Sequence, residues 1–448
     1  MIVTAITTLF VTLRSTVLQY AEYPILSSTL KRITVTPLFL LVNHLRDQHG
    51  HDNDDNDDYC LTSVDCAMNG ECIRHFKDRQ APGKCQCFDG WRGNTCEVLD
   101  LLPIGSIGGH DGIGLQLPNH ASSWGGSVVY ADGEYHMFAS EIVKGCGLDY
   151  WTTNSQVIRA VSDNPQGPYV KQEVILPTFS HDANVLKGGP NGDFFVLFVT
   201  ALLGMEPVDC SSKSAWQRRQ TVPNTTAPPK DTYMLWAKHP TGPWSEPVLV
   251  LNSTIWNEDY WAKNHRFAHC DANLNGILRQ DGSFLGLWRR CETPDLLTIP
   301  HTLYASDWKN ASTYQPSIGP LFVLTGSGAE DPSNIWTTET TDAGVAYHAI
   351  FHDEQATRCM LGECPNVGRH AFSLDGKAWS YGKVNAYNGT ILFQNGTSWI
   401  ADTRARPHLI VRDNQLLALS TGLKPTKESG YVWTLVQPLR HEKGAKTG

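Results

Sequence analysis

Glu330 and Asp331 stand side by side in Gly328-Ala-Glu330-Asp331-Pro332-Ser-Asn-Ile-Trp336, just ahead of an apolar, aromatic-rich run, Val345-Ala-Tyr-His-Ala-Ile-Phe351. Proline lacks a backbone donor and fits only the start or the edge of a strand, so the two carboxylates belong at the mouth of a strand rather than inside a ladder. Ser180-His181-Asp182-Ala-Asn184 and His269-Cys270-Asp271-Ala-Asn273 repeat the layout, each ahead of a strand-like run. Carboxylates at equivalent points of repeats converge, and their repulsion raises the proton affinity of at least one. A protonated carboxyl beside an ionised one is the pair that acid–base cleavage of an acetal requires: one protonates the leaving oxygen, the other activates water or attacks.

Other residues near these anchors can touch a substrate. They are Trp124 and Trp336, as flat platforms or as core, His181, which precedes an anchor aspartate, and Arg406, which precedes Pro407. Arg406 also reads as the cation that neutralises the acidic cluster, because several carboxylates are costly to gather without one. His181 and His269 read more readily as satisfied core histidines than as contacts.

The elements that must position these groups are strands. Residues 104–440 carry almost no helical periodicity; strand-like runs alternate with turn signals. One unit recurs five times: an anchor, an apolar run, an Asp-Gly-type turn, an aromatic-rich run and a Gly-Pro-aromatic or Asp-Gly-x-x-Trp tail. The five turns are Asp132-Gly133, Asn191-Gly192, Asp281-Gly282, Asp342-Ala-Gly344 and Asp413-Asn414. Such dipeptides between apolar runs make hairpins, because both central residues need positive φ. Units of this kind bury their faces only by stacking on neighbours, and closing the ring protects the strand edges. The expected fold is all-β: a five-bladed β-propeller over 104–440, with a β-sandwich as the alternative that leaves five matched units unexplained. First strands of blades line the central channel, so Asp182, Asp271, Glu330 and Asp331, with Arg404 and Arg406, should meet at one mouth.

The chain has 448 residues, 18% of them charged, and a formal net charge of -9 without a basic stripe, which argues against nucleic acid. Its 12 cysteines and the sequons at Asn224, Asn252, Asn310, Asn388 and Asn395 point to an oxidising, extracellular or cell-surface setting reached by the secretory pathway. Residues 1–50 hold two apolar runs, each shorter than a spanning helix, and read as a signal or membrane-anchor region. Residues 51–58 are an acidic linker kept open by self-repulsion. Over 59–97 the spacing of Cys60, Cys66, Cys72, Cys85, Cys87 and Cys96 describes a module too small to fold without bridges. Six cysteines allow about 15 pairings. The ending Cys87-Phe-Asp-Gly90-Trp91-Arg-Gly93-Asn-Thr-Cys96 resembles an EGF-like module. The resemblance implies Cys60–Cys72, Cys66–Cys85 and Cys87–Cys96, no calcium, and a role as spacer or adhesion contact. The other cysteines read as loop staples, Cys146–Cys210, Cys270–Cys291 and Cys359–Cys364, with no spacing that supports zinc.

Over 104–440 the chain resembles glycoside hydrolase family 43 and its five-bladed relatives, which act on arabinans, xylans and similar sugars. Glu330-Asp331-Pro332 resembles the family anchor that carries the general acid, and Asp271-Ala272 the one that tunes it. The family base is an aspartate of the first blade, but counting back from Asp132 lands on Ser123, so Asp182 is the candidate base. The resemblance thus implies a secreted or surface hydrolase of a pentose- or furanose-containing polysaccharide, inverting, with Glu330 as acid, Asp182 as base and Asp271 as modulator. It implies no organic cofactor and no metal, with a structural cation in the channel left open. Two other readings stand: a non-catalytic propeller that binds a glycan or a protein, with the EGF-like module as adhesion spacer, and a retaining enzyme that transfers sugars between chains.

Overall fold

The computed structural model describes residues 59–74, 82–105, 114–117, 121–189, 192–201, 206–210, 231–252, 272–291, 298–317, 321, 329–353, 367–426 and 429–441. All lie in the second of two compact units, Asp58–Gly448. The expectations for residues 1–50 and 51–58, for Asp271 and for the pairs Cys270–Cys291 and Cys359–Cys364 fall wholly or partly outside the described residues. Among the described residues no helix is long and apolar enough to cross a membrane.

Five antiparallel sheets follow one another along the chain. The first blade runs outward from Ser122–Ala131 through Glu134–Ile142 and Ser155–Ser162 to Tyr169–Leu176, where Leu115–Gln116 adds a parallel edge. Blade two holds Ser180–Gly188, Phe194–Ala201, Asp231–Ala237 and Val248–Leu251, and blade three Ala272–Leu278, Phe284–Cys291, Thr298–Ala305 and Tyr314–Pro316. In blade four the innermost strand is broken: Ala329–Glu330 and Trp336–Thr340 both pair with Gly344–Asp353, and Pro332 lies in the gap, as its missing donor requires. Blade five has three strands, Thr403–Arg412, Gln415–Lys424 and Trp433–Pro438, extended by a bridge between Leu101 and Leu439. The chain folds as the expected five-bladed propeller. The turn residues Asp132, Gly133, Gly192, Gly282, Gly344, Asp413 and Asn414 all take positive φ.

The core lies between blades. Val185 and Leu197 pack against Val129 and Phe138 at the first junction, and Phe284 and Trp288 against Val196 and Phe198 at the second. Leu287 meets Ala349 and Phe351 at the third, and Ile410 with Val436 meets Val128 and Met137 where the last blade closes on the first.

Around the channel, side-chain hydrogen bonds staple every junction. Ser127 Oγ donates to the Val185 carbonyl at 3.1 Å, and Asn184 Nδ2 to the Leu274 carbonyl at 3.1 Å. Asn275 Nδ2 donates to the Pro332 carbonyl at 3.4 Å, and His408 Nε2 lies 3.2 Å from Ser127 Oγ. Asn334 grips blade five twice: its Nδ2 donates to the Leu409 carbonyl at 3.1 Å, and its Oδ1 accepts from the Leu409 amide at 3.0 Å. Leu409 is fully buried, so Asn334→Ala leaves two backbone groups without partners and is expected to cost about 1–3 kcal/mol in urea unfolding. A midpoint shift no larger than that of a surface asparagine would sink this reading.

The EGF-like module is part of this core. The disulfides Cys60–Cys72, Cys66–Cys85 and Cys87–Cys96 close it, and Cys146–Cys210 ties two loops of the propeller. Its Trp91, 5% exposed, enters the junction between blades four and five beside Trp336, Ile350, Leu409 and Leu419. The two indoles stack at 6.2 Å. The spacer role expected of the module is therefore replaced by a docked one: its apolar face completes the fourth junction.

A directional hydrogen-bond chain fixes that docking. Thr338 Oγ1 donates to the Met68 carbonyl at 2.8 Å and so accepts from His348 Nε2 at 2.7 Å. His348 Nδ1 then accepts from His370 Nε2 at 2.9 Å, and Asn69 Nδ2 lies 3.4 Å from both ring nitrogens of His370. The chain leaves the module at Asn69 and returns to it at Met68.

Candidate active site

Each innermost strand bends at one residue with left-handed backbone. These are Gly125 (φ 66), Asp182 (φ 61), Asn273 (φ 63), Asp331 (φ 51) and Arg406 (φ 58). In blades one, two, three and five the register shifts across this residue, between Trp124 and Ser127, His181 and Asn184, Ala272 and Asn275, and Ala405 and His408. A bulge of this kind re-aims a side chain, and the bends at Asp182, Asn273, Asp331 and Arg406 bring four side chains together at the channel. Asp182, Asn273 and Asp331 are of types that tolerate this backbone, while at Arg406 it is strain of the kind that gathers at functional sites.

The equivalence differs from the one expected. Gly125, not Ser123, holds the first-blade position. Asn273, not Asp271, matches Asp182, although Asp182-Ala-Asn184 and Asp271-Ala-Asn273 look alike; the second motif is shifted by two residues. In blade four the bulge residue is Asp331, and Glu330 precedes it.

Arg406 occupies the centre. Its Nη2 is ion-paired with Asp182 Oδ1, and its Nε lies 3.2 Å from Asp331 Oδ1. Its backbone amide donates to Asp331 Oδ2 at 3.3 Å, its Nη2 donates to Asn273 Oδ1 at 3.0 Å, and Asn273 Nδ2 donates to Asp331 Oδ1. Burial pushes the guanidinium down to about 9, still well above neutral pH, so Arg406 remains charged. The carboxylates of blades two and four are thus held together by a cation rather than left to repel each other.

His181 orients Asp182. Its Nε2 is 2.9 Å from Asp182 Oδ1, its Nδ1 is 2.7 Å from Ser155 Oγ, and its ring lies 4.8 Å from that of Trp151. Trp124, Asp182, Asp331, Arg406 and His408 wall a cavity of 20 Å³, enough for about one water. Trp124 also packs against Gly422, where a Cβ would come within 2.6 Å of the indole. Trp336 does not line this cavity; it is buried between His348 and Trp91.

Glu330 faces two groups that sequence reasoning missed. Arg289, from the second strand of blade three, pairs through Nη1 with Glu330 Oε2. His352 Nδ1 lies 3.5 Å from Glu330 Oε1, and His352 is the direct cross-strand partner of Glu330. Burial disfavours its charge, but the hydrogen bond to Glu330 and the charges of Glu330, Asp331 and Asp353 outweigh that and raise it. Glu330, Asp331 and His352 each offer one oxygen or nitrogen within 4.8 Å of the others. These could in principle ligate a cation, but Arg289 and Arg406 already supply positive charge to the two carboxylates. The register of His352 opposite Glu330 is the signal that would have found it, and only strand pairing reveals it.

Residues 62–99 match the family model described as a teneurin-like EGF domain. Such domains and multiple disulfides are typical of extracellular proteins. No curated protein matches the chain. Among solved structures it is similar to a protein of unknown function from Dyadobacter fermentans, at 12% identity and a TM-score of 0.46, covering 74% of this chain and 98% of that one. A thermostable family-43 glycoside hydrolase aligns at 10% identity and a TM-score of 0.46, covering 77% and 94%. A family 117 glycoside hydrolase from the marine bacterium Zobellia galactanivorans aligns at 10% identity and a TM-score of 0.44, covering 76% and 90%.

Proposed function

We propose that the protein hydrolyses a glycosidic bond in a pentose- or furanose-containing polysaccharide, with inversion. The observation that carries this reading is the meeting of Asp182 and Asp331 at Arg406, beside a space for one water, with Glu330 next to Asp331. In this mechanism Asp182, fixed by His181 and Arg406, takes a proton from the water held in that cavity. The water attacks the anomeric carbon while Glu330 protonates the leaving oxygen. His352, whose proton affinity is raised by Glu330, supplies that proton to Glu330. Arg289 and Asp331 position Glu330. Trp124 and Arg406 wall the cavity that takes this water.

The test is release of reducing sugar from arabinans, xylans and galactans. Glu330→Gln is expected to lower the rate at least about a hundred-fold, the scale of a general acid. Unchanged activity in that variant would reject the assigned acid.

One observation favours a second reading, a glycan-binding propeller without catalysis: the first-blade position is Gly125, with no carboxylate, and Arg406 engages both neighbouring aspartates. Saturable binding to one of these glycans with no bond cleavage at any pH would establish it instead.

A further inference from the structure

We propose that Asn310, Asn388 and Asn395 carry N-linked glycans, and that the last two cover the hairpin between them. All three asparagines are exposed. Each folds its side chain back onto its own sequon. Asn395 Oδ1 accepts from the Thr397 amide at 2.9 Å and from the Thr397 hydroxyl at 2.7 Å. Asn310 Oδ1 accepts from the Ser312 amide at 3.1 Å and the Ser312 hydroxyl at 2.8 Å, and Asn388 Oδ1 from the Thr390 amide at 3.0 Å. The carboxamide oxygen is thus held by two donors at Asn310 and Asn395 and by one at Asn388. Among the described residues no protein atom accepts from Nδ2 of any of the three. The main chain at Asn388 is anchored independently, since its carbonyl accepts from Arg404 Nη1 at 3.0 Å.

The surroundings supply a second reason. The two-stranded hairpin Thr390–Leu392 and Ser398–Ile400 starts two residues after Asn388 and turns at Asn395. It carries the most exposed large apolar side chain among the described residues, Ile400 at 71%, and Leu392 at 47%. Glycans at its base and tip flank both. The disulfides of the chain form in the compartment where such glycans are added.

The donor is a lipid-diphosphate-linked oligosaccharide presented by the transferase of the secretory pathway. A bond forms between Nδ2 and the anomeric carbon, the carbon–oxygen bond to the diphosphate breaks, the lipid diphosphate leaves with that electron pair, and one amide proton passes to a base of the transferase.

The experiment expresses the full chain through the secretory pathway of a eukaryotic host and maps glycopeptides before and after enzymatic deglycosylation. Modification of all three asparagines is expected, with Asn310→Gln, Asn388→Gln and Asn395→Gln each removing one step of mass. Thr397→Ser should keep the Asn395 glycan and Thr397→Ala should abolish it, which separates this modification from any other. Removing both hairpin glycans should increase self-association on size exclusion. Unmodified peptides at all three sites, in secreted protein whose four described disulfides have formed, would overturn the proposal.

Discussion

Arg406→Met is expected to destabilise the protein by about 3–5 kcal/mol, the scale of a buried ion pair that loses one partner. The methionine keeps the apolar stem but leaves Asp182 and Asp331, both at most 6% exposed at the side chain, facing each other without a cation. Asn273 and His181 can stabilise one carboxylate each, but neither replaces a full charge. The loss should shrink as pH falls, because protonating either aspartate removes the uncompensated charge. Arg406→Lys should fall between the two, since an ammonium keeps the charge but cannot span Asp182, Asp331 and Asn273 with a planar fork. Urea unfolding of the three proteins at neutral and mildly acidic pH decides this. A loss below about 1 kcal/mol for the methionine variant would mean that the cluster is not held by its charge.

Acid should unfold the docked module through its histidines. His370 is held down to about 3 by burial, and His348 well below the ordinary histidine range by burial and then by the neighbouring His370. For such groups the unfolded chain takes up protons that the folded one refuses. Stability from this source is intact above the unfolded value near pH 6.5 and declines as pH falls towards the folded value. From pH 7 to pH 5 His370 is expected to cost about 2 kcal/mol, and His348 adds to the loss in the same direction. The mechanism is visible in the relay: a second proton on either ring sets a donor against a donor, between Asn69 and Thr338. The double substitution His348→Leu, His370→Leu should flatten the fall in stability between these two pH values, whatever its effect at pH 7. An unchanged slope would place the acid sensitivity elsewhere.

The fold was legible because hairpin turns leave a direct chemical trace. Asp132-Gly133, Asp281-Gly282 and Asp413-Asn414 mark hairpin bends in three blades; in the first and last pairs both residues take the left-handed backbone that these types tolerate, and in Asp281-Gly282 the glycine alone does. The register of the site was less legible for a physical reason. Its repeating mark is a backbone conformation, and glycine, aspartate, asparagine and arginine each adopt it here. No residue type announces it, so the repeated Asp-Ala-Asn drew attention to Asp271 while Asn273 holds the bend. Arg289 and His352 were hidden because each reaches Glu330 across strands. The resemblance to an EGF-like module implied how it closes, and the pairs Cys60–Cys72, Cys66–Cys85 and Cys87–Cys96 form. It carried no information about where the module docks; that depends on Trp91, whose partners come from the far end of the chain.

That dependence bears on assembly. The Gly90 amide donates to the Arg440 carbonyl at 3.0 Å, and the Arg440 amide to the Asp100 carbonyl at 2.8 Å. In a chain made from its N-terminus, the first described segment to emerge finds its resting place only after the last strand has been synthesised. Its indole and cystine-lined face stay wet throughout elongation, available to any passing chaperone. Maturation of this protein should therefore be gated by the arrival of its final strand.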